Sequence, residues 1–110
     1  MSGWVTLLTA KADQDIETIL NWTYEQFGPL QMDAYTGVIG DALEALTEGP
    51  QLVGLRWRPE LGDGVATLHV ARQGRKGRHL LVIRVHDSKC VIEVLRILHD
   101  SMDLQRNLDS

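Results

Sequence analysis

Two arginines inside apolar runs, and a histidine that ends one of them, are the residues best placed to do chemistry. The run LLVIRVH (80–86) carries Arg84, and CVIEVLRILH (90–99) carries Arg96 and finishes on His99. Cleaving RNA by attack of a 2′-hydroxyl needs a base, an acid and a cation to hold the charge that develops on phosphate. Arg84, Arg96 and His99 supply part of such a set. An arginine flanked by Ile92, Val94 and Leu98 is costly to bury alone, so it needs a carboxylate, carbonyls or water. One reading is a guanidinium snorkelling from the solvent face of a sheet. The other is a concave, partly apolar and cationic surface on which a second molecule lies. His99 is read either as a catalyst or as an ordinary sheet end.

The remaining constellations are weaker. His69, His79, His86 and His99 are too scattered for all four to meet, and without an HExxH or further cysteines no metal is expected. His86-Asp87 and His99-Asp100 are adjacent pairs, but neighbours on a strand point to opposite faces. QGRKGR (73–78) has two glycines without the spacing that cradles phosphate, so no cofactor is expected either. Trp22, beside the helical stripe, is read as packed. Trp57, between Arg56 and Arg58, is either an exposed anchor or a residue leaning on the core.

The elements that position these residues follow from periodicity. WVTLLT (4–9) reads as a strand, and Thr9 as the N-cap of a helix over 10–27 with Ile16, Ile19, Leu20, Thr23 and Phe27 at helical spacing. Gly28 suits its end and Pro29 the first turn of a second helix, 29–47, striped by Tyr35, Val38, Ile39, Ala42 and Leu46. So short a join folds the two helices into an antiparallel hairpin. Gly49-Pro50 stops the second helix, and 49–64 reads as a connecting loop. Three strands follow, 65–72, 78–86 and 90–99, joined by turns as an antiparallel meander. SMDLQRNL (101–108) reads as a short helix capped by Ser101. The expected fold is α+β, order β-α-α-β-β-β, with the helical hairpin covering one face of a four-stranded, largely antiparallel sheet. Strict alternation puts Leu80, Val82, Arg84 and His86 on the uncovered side, and Ile92, Val94, Arg96 and Leu98 beside them.

A chain of 110 residues with 44% hydrophobic content is expected to form one domain, 1–110, with a real core. The start has no basic region followed by a long apolar stretch, so neither leader peptide nor membrane anchor is expected. The single Cys90 suits a reducing cytoplasm. Net charge is −4, divided unevenly: residues 1–55 carry −7 and residues 56–110 carry +3. That asymmetry is read either as two solvated faces or as a basic patch for an acidic partner. It is too mild for a nucleic-acid footprint.

Taken together, these pieces resemble ParE toxins, of the RelE/ParE superfamily of type II toxin–antitoxin systems. TAKADQDIETILNWTYEQFG (9–28), with its Thr cap and aromatic-Gly ending, is similar to the opening of that family. Ala34-Tyr35 and the Leu46…Gly49-Pro50 helix stop follow in the same order. LLVIRV (80–85) and VLRILHDSMD (94–103) look like its paired strands and its terminal R-[VI]-L-H-x-x-x-D signature. Ile83 stands where an aromatic often precedes the strand arginine, and Val65-Ala66 where an arginine is common.

The resemblance implies a plasmid-stabilising or growth-inhibiting toxin, neutralised by a ParD-like antitoxin whose C-terminal segment wraps it. The target it implies is DNA gyrase, through the A subunit; RelE-type relatives cut ribosome-bound mRNA instead. On this reading Trp57, Val82, Arg84, Val94, Arg96 and Leu98 form the antitoxin-docking face. His99, Met102 and Arg106 are then the candidates for target contact. A pI near 5.4, no lysine cluster and no tyrosine after Tyr35 favour a protein target over RNA.

Overall fold

A computed structural model describes residues 3–108. Strand β1 (Val5–Leu8) leads into α1 (Ala10–Phe27) and α2 (Pro29–Ala45), then come β2 (Arg56–Trp57), β3 (Val65–His69), β4 (His79–His86), β5 (Val91–His99) and a short α3 (Leu104–Leu108). Thr9 makes the first corner: its oxygen accepts the Ala12 N–H at 3.0 Å and its hydroxyl donates to the Leu95 carbonyl at 2.8 Å. One side chain therefore caps the helix and ties it to the sheet. Gly28, with φ of +90°, reverses the chain and returns its N–H to the Tyr24 carbonyl. The hairpin buries Ala12 and Thr23 from α1 and Tyr35, Val38, Ile39 and Ala42 from α2.

The sheet has five strands in the order β1-β5-β4-β3-β2, with β1 parallel to β5 and every other pair antiparallel. The strand missing from the sequence reading is β2, where Arg56 pairs with Thr67 and Trp57 with Ala66. Two residues between Gly- and Pro-rich turns carry no readable alternation. Helix α3 is likewise shorter than expected. Asp103, rather than Ser101, accepts the N–H three residues on, at Arg106 (3.1 Å), while Ser101 turns back to His99.

The larger correction lies in β5. Val82 pairs with Arg96 but Ile83 pairs with Val94, so Leu95 is an extra residue and the strand bulges there. Strict alternation fails across the bulge. Ile92 and Val94 join Ile97 in the core under the helices, with Leu81 and Ile83 of β4, and not the opposite face where both were expected. Arg96 and Leu98 do fall on that opposite face, as do Val82 and Arg84. Nor is that face bare. Val65, Val82 and Leu98 form a second small core, covered by Leu104 and by the partly buried Leu61, Leu80 and Leu108. Val82 and Leu98 are consequently inaccessible, and so is Val94.

Arg96 is held at the bulge. Its Nε and Nη2 donate to the two carboxylate oxygens of Asp15 at 2.8 and 3.0 Å, and its Nη1 to the Asn107 carbonyl at 3.0 Å. Asp15 also accepts the Ile97 N–H at 2.9 Å, just beyond the point where β1 stops covering β5. The side chains of Arg96 and Asp15 are only 20% and 16% exposed, so the pair works well away from bulk water. The second polar tie between layers joins α2 to β4. The Tyr35 hydroxyl lies 2.6 Å from His79 Nδ1, and any side chain at Gly77 would strike that hydroxyl.

Asp15→Ala strands the guanidinium and the Ile97 N–H together, and should lower unfolding free energy by about 2 kcal/mol. Urea denaturation checks this, and Asp15→Ala with Arg96→Met should recover part of the loss. Burial first, and His99 next, lower the His79 pKa from 6.5 to about 4. Between those values the unfolded chain takes a proton that the folded chain refuses, so stability should fall as pH drops from 6.5 towards 4. His79→Gln should remove that slope. The acid limb below it should remain, because Asp100 is depressed to about 2.

Candidate functional site

On the face of the sheet opposite the hairpin, a hollow of about 320 Å³ opens beside α3. Lys11, Arg84 and Arg96 line it with Leu61, Leu95 and Leu108. Arg96 is committed to Asp15, which raises its pKa further, so it contributes shape more than a free charge. Arg84 differs. Its cross-strand neighbour Glu93 turns to His86, at 3.2 Å from Nε2, and the Arg84 guanidinium extends over Gly62. No carboxylate pairs with Arg84 among the described residues. A cation between leucines that has no counter-ion attracts a carboxylate or phosphate from outside. Next to it, Val5, Leu7 and Leu8 leave the free edge of β1 apolar and exposed, and Trp57 is half exposed at the far edge.

His99 is not part of this hollow. It ends β5 on the helical side, in a cleft of about 710 Å³ between α1, the start of α2 and the turns 76–79 and 99–102. The supposed nuclease set is thereby split across the sheet, with Arg84 and Arg96 on one face and His99 on the other. Met102 shares the cleft with His99, whereas Arg106 is exposed on α3 and does not line it.

Four cleft residues were missed by sequence reasoning: Trp22, Phe27, Tyr35 and His79. Trp22 and Phe27 were assigned to the packed side of α1, yet they are 56% and 64% exposed and meet edge to face at 5.9 Å. Tyr35 did carry a signal, since a tyrosine in a core stripe must find a partner for its hydroxyl. The Arg78 N–H donates to that oxygen at 3.3 Å, which leaves the hydroxyl proton for His79 Nδ1. His79 therefore keeps its own proton on Nε2. Its ring stands at 81° to that of His99, centroids 5.4 Å apart. At His99, Nδ1 accepts the Ser101 N–H at 3.2 Å, so it too is protonated at Nε2. Burial raises the Tyr35 pKa, and the depressed His79 is uncharged at neutral pH. Behind them the Asp100 carboxylate is held low, chiefly by hydrogen bonds from Arg78 and then His69. No three of these groups are disposed to hold a metal ion among the described residues.

Residues 7–104 match the family described as ParE toxin of type II toxin-antitoxin system, parDE. Toxin ParE1 of Mycobacterium tuberculosis, in strains CDC 1551 / Oshkosh and ATCC 25618 / H37Rv, is 30% identical over 102 residues, spanning 93% of this chain and 95% of the relative. Among solved structures, the chromosomal ParDE system from P. aeruginosa superposes with a TM-score of 0.72 at 21% identity, over 90% of this chain and 98% of the other. The toxin–antitoxin complex RelBE2 from Mycobacterium tuberculosis superposes with a TM-score of 0.59 at 23% identity, over 90% and 93%. Those two likenesses concern the fold; the family match and the 30% relatives go further, and on them the chain belongs to the ParE toxin family of type II toxin–antitoxin systems.

Proposed function

We propose that this chain is held inactive by a ParD-like antitoxin and, once released, inhibits DNA gyrase by protein–protein contact. The observation that carries the docking half is Arg84, a cation with no counter-ion among the described residues, set in a leucine-walled hollow beside the apolar edge of β1. An extended acidic segment would satisfy all of it: a carboxylate to Arg84, apolar side chains to the leucines, and backbone groups to the unpaired edge. Of the six residues assigned to this face from sequence, Arg84 is available for contact, whereas Trp57 pairs with Ala66 and so lies on the hairpin side of the far edge. Arg96 is available only at its rim, Val82 and Leu98 support the surface from below, and Val94 faces the hairpin core. Both solved neighbours are toxin–antitoxin systems, which supports a partner of this kind.

A protein target is supported by the separation of Arg84 and Arg96 from His99, since a nuclease would need them around one phosphate. His99 and Met102, which line the cleft, remain the proposed target contacts, with Arg106 on the adjoining helix.

Arg84→Glu should weaken antitoxin binding by about tenfold or more, and the parent affinity should fall with salt more steeply than that of the variant. Titration calorimetry at two salt concentrations measures both. The chain freed of antitoxin should block supercoiling by purified gyrase. Untouched supercoiling, with mRNA cuts on translating ribosomes that His99→Ala abolishes, would replace this reading with that of a nuclease.

A further inference from the structure

The cleft below α1 has a composition that antitoxin docking on the opposite face does not use. Its long wall is apolar and aromatic: Ile19, Trp22, Phe27 and Met102. The fold leaves both rings half bare although α1 buries its neighbouring stripe, which exposes a planar, polarisable surface. Its polar end carries the imidazoles of His79 and His99 beside the hydroxyls of Tyr35 and Ser101. Each imidazole has its Nδ1 occupied, His79 by Tyr35 and His99 by Ser101, and so offers only Nε2–H. The Asp100 carboxylate, 3.6 Å from His99 Nδ1, is hydrogen-bonded by Arg78 and His69. Lys76 adds an ammonium at the rim. Two imidazole N–H groups and an ammonium at one end favour an anion there.

We infer that this cleft binds a nucleoside monophosphate, with the base against Trp22 and Phe27 and the phosphate oxygens on His79, His99 and Lys76. Three donors suit a phosphate with three terminal oxygens better than a carboxylate with two. A volume of about 710 Å³ lies in the range of small-molecule sites. A base with an aromatic face at one end and a phosphate at the other matches the division of the cleft into an aromatic wall and a donor end. The same chemistry belongs to a free nucleotide and to the phosphorylated end of a strand. The inference is independent of gyrase, and failure of the supercoiling test would leave it standing.

Titration calorimetry of the full chain against AMP, adenosine, inorganic phosphate and a 5′-phosphorylated dinucleotide tests it. AMP should bind with a Kd of about 0.1 mM, and adenosine and phosphate at least about tenfold more weakly. Trp22→Ala and His99→Ala should each weaken AMP by about fivefold or more, because both side chains reach the surface and neither supports the core. Tyr24→Ala, another exposed aromatic of α1 but outside the cleft, should not. A dinucleotide bound over about tenfold more tightly than AMP supports a strand end as the ligand, and equal affinities support the free nucleotide. The inference is overturned by no heat with AMP up to about 5 mM, by adenosine binding as well as AMP, or by parental affinity in both cleft variants.

Discussion

A guanidinium drawn largely out of water must be answered by a carboxylate, and here the answer organises the fold. Arg96 cannot sit in an apolar strand unpaired, and Asp15 reaches it only because α1 leaves the sheet at the end of β1. The bulge at Leu95 directs Arg96 to the second face, and the same carboxylate then closes the Ile97 N–H left open on β5. Thr9 completes the arrangement by capping α1 and bonding Leu95 at the bulge itself. The third guanidinium nitrogen fixes the Asn107 carbonyl, and so brings the C-terminal helix onto the sheet. One cation thus connects the first helix, the last strand and the last helix.

This arrangement also explains the charge division along the chain. The acidic first half and the basic second half meet through the partly buried Asp15–Arg96 pair and through the exposed Asp41–Arg75 pair at 2.6 Å. Part of the asymmetry is therefore internal pairing between the hairpin and the sheet layer, a reading that neither solvated faces nor a docking patch anticipates. What pairing does not consume is more informative. Arg84 and Lys76 lie on opposite sides of the sheet, and each borders a hollow that the fold leaves open.

The order of elements was legible because its signals are long. Eighteen residues of α1, seventeen of α2 and two extended strands each repeat their period several times, and Thr9, Gly28 and Pro29 mark the joins. The failures are short or non-local. β2 has two residues, too few to alternate. The bulge depends on which residue of β4 faces which residue of β5, so Ile92 and Val94 were assigned to the wrong side. Trp22 and Phe27 were placed in the core because hydrophobicity was taken as burial, a rule that runs in one direction only. The absence of tyrosine from the second half was given chemical weight, yet Tyr35 reaches His79 from α2. Sequence distance did not measure distance in space.

The two open regions differ in a way that bears on how a small toxin can be both restrained and active. The hollow at Arg84 rests on a thin second core closed by Leu61, Leu104 and Leu108, elements of a loop and a five-residue helix. Such elements have few neighbours to hold them and can adapt to a partner at modest cost. The cleft at His79 rests instead on the main core, with Tyr35 and Gly77 packed against Val70 beneath it. Its donors are preorganised by hydrogen bonds to backbone and tyrosine, and they need no rearrangement to meet an anion. Adaptable apolar edges suit a segment that folds as it binds, whereas a preset donor end suits a small rigid ligand. The division follows from where the chain spent its buried apolar side chains: most went under the hairpin, and only a few remained for the face that a partner must cover.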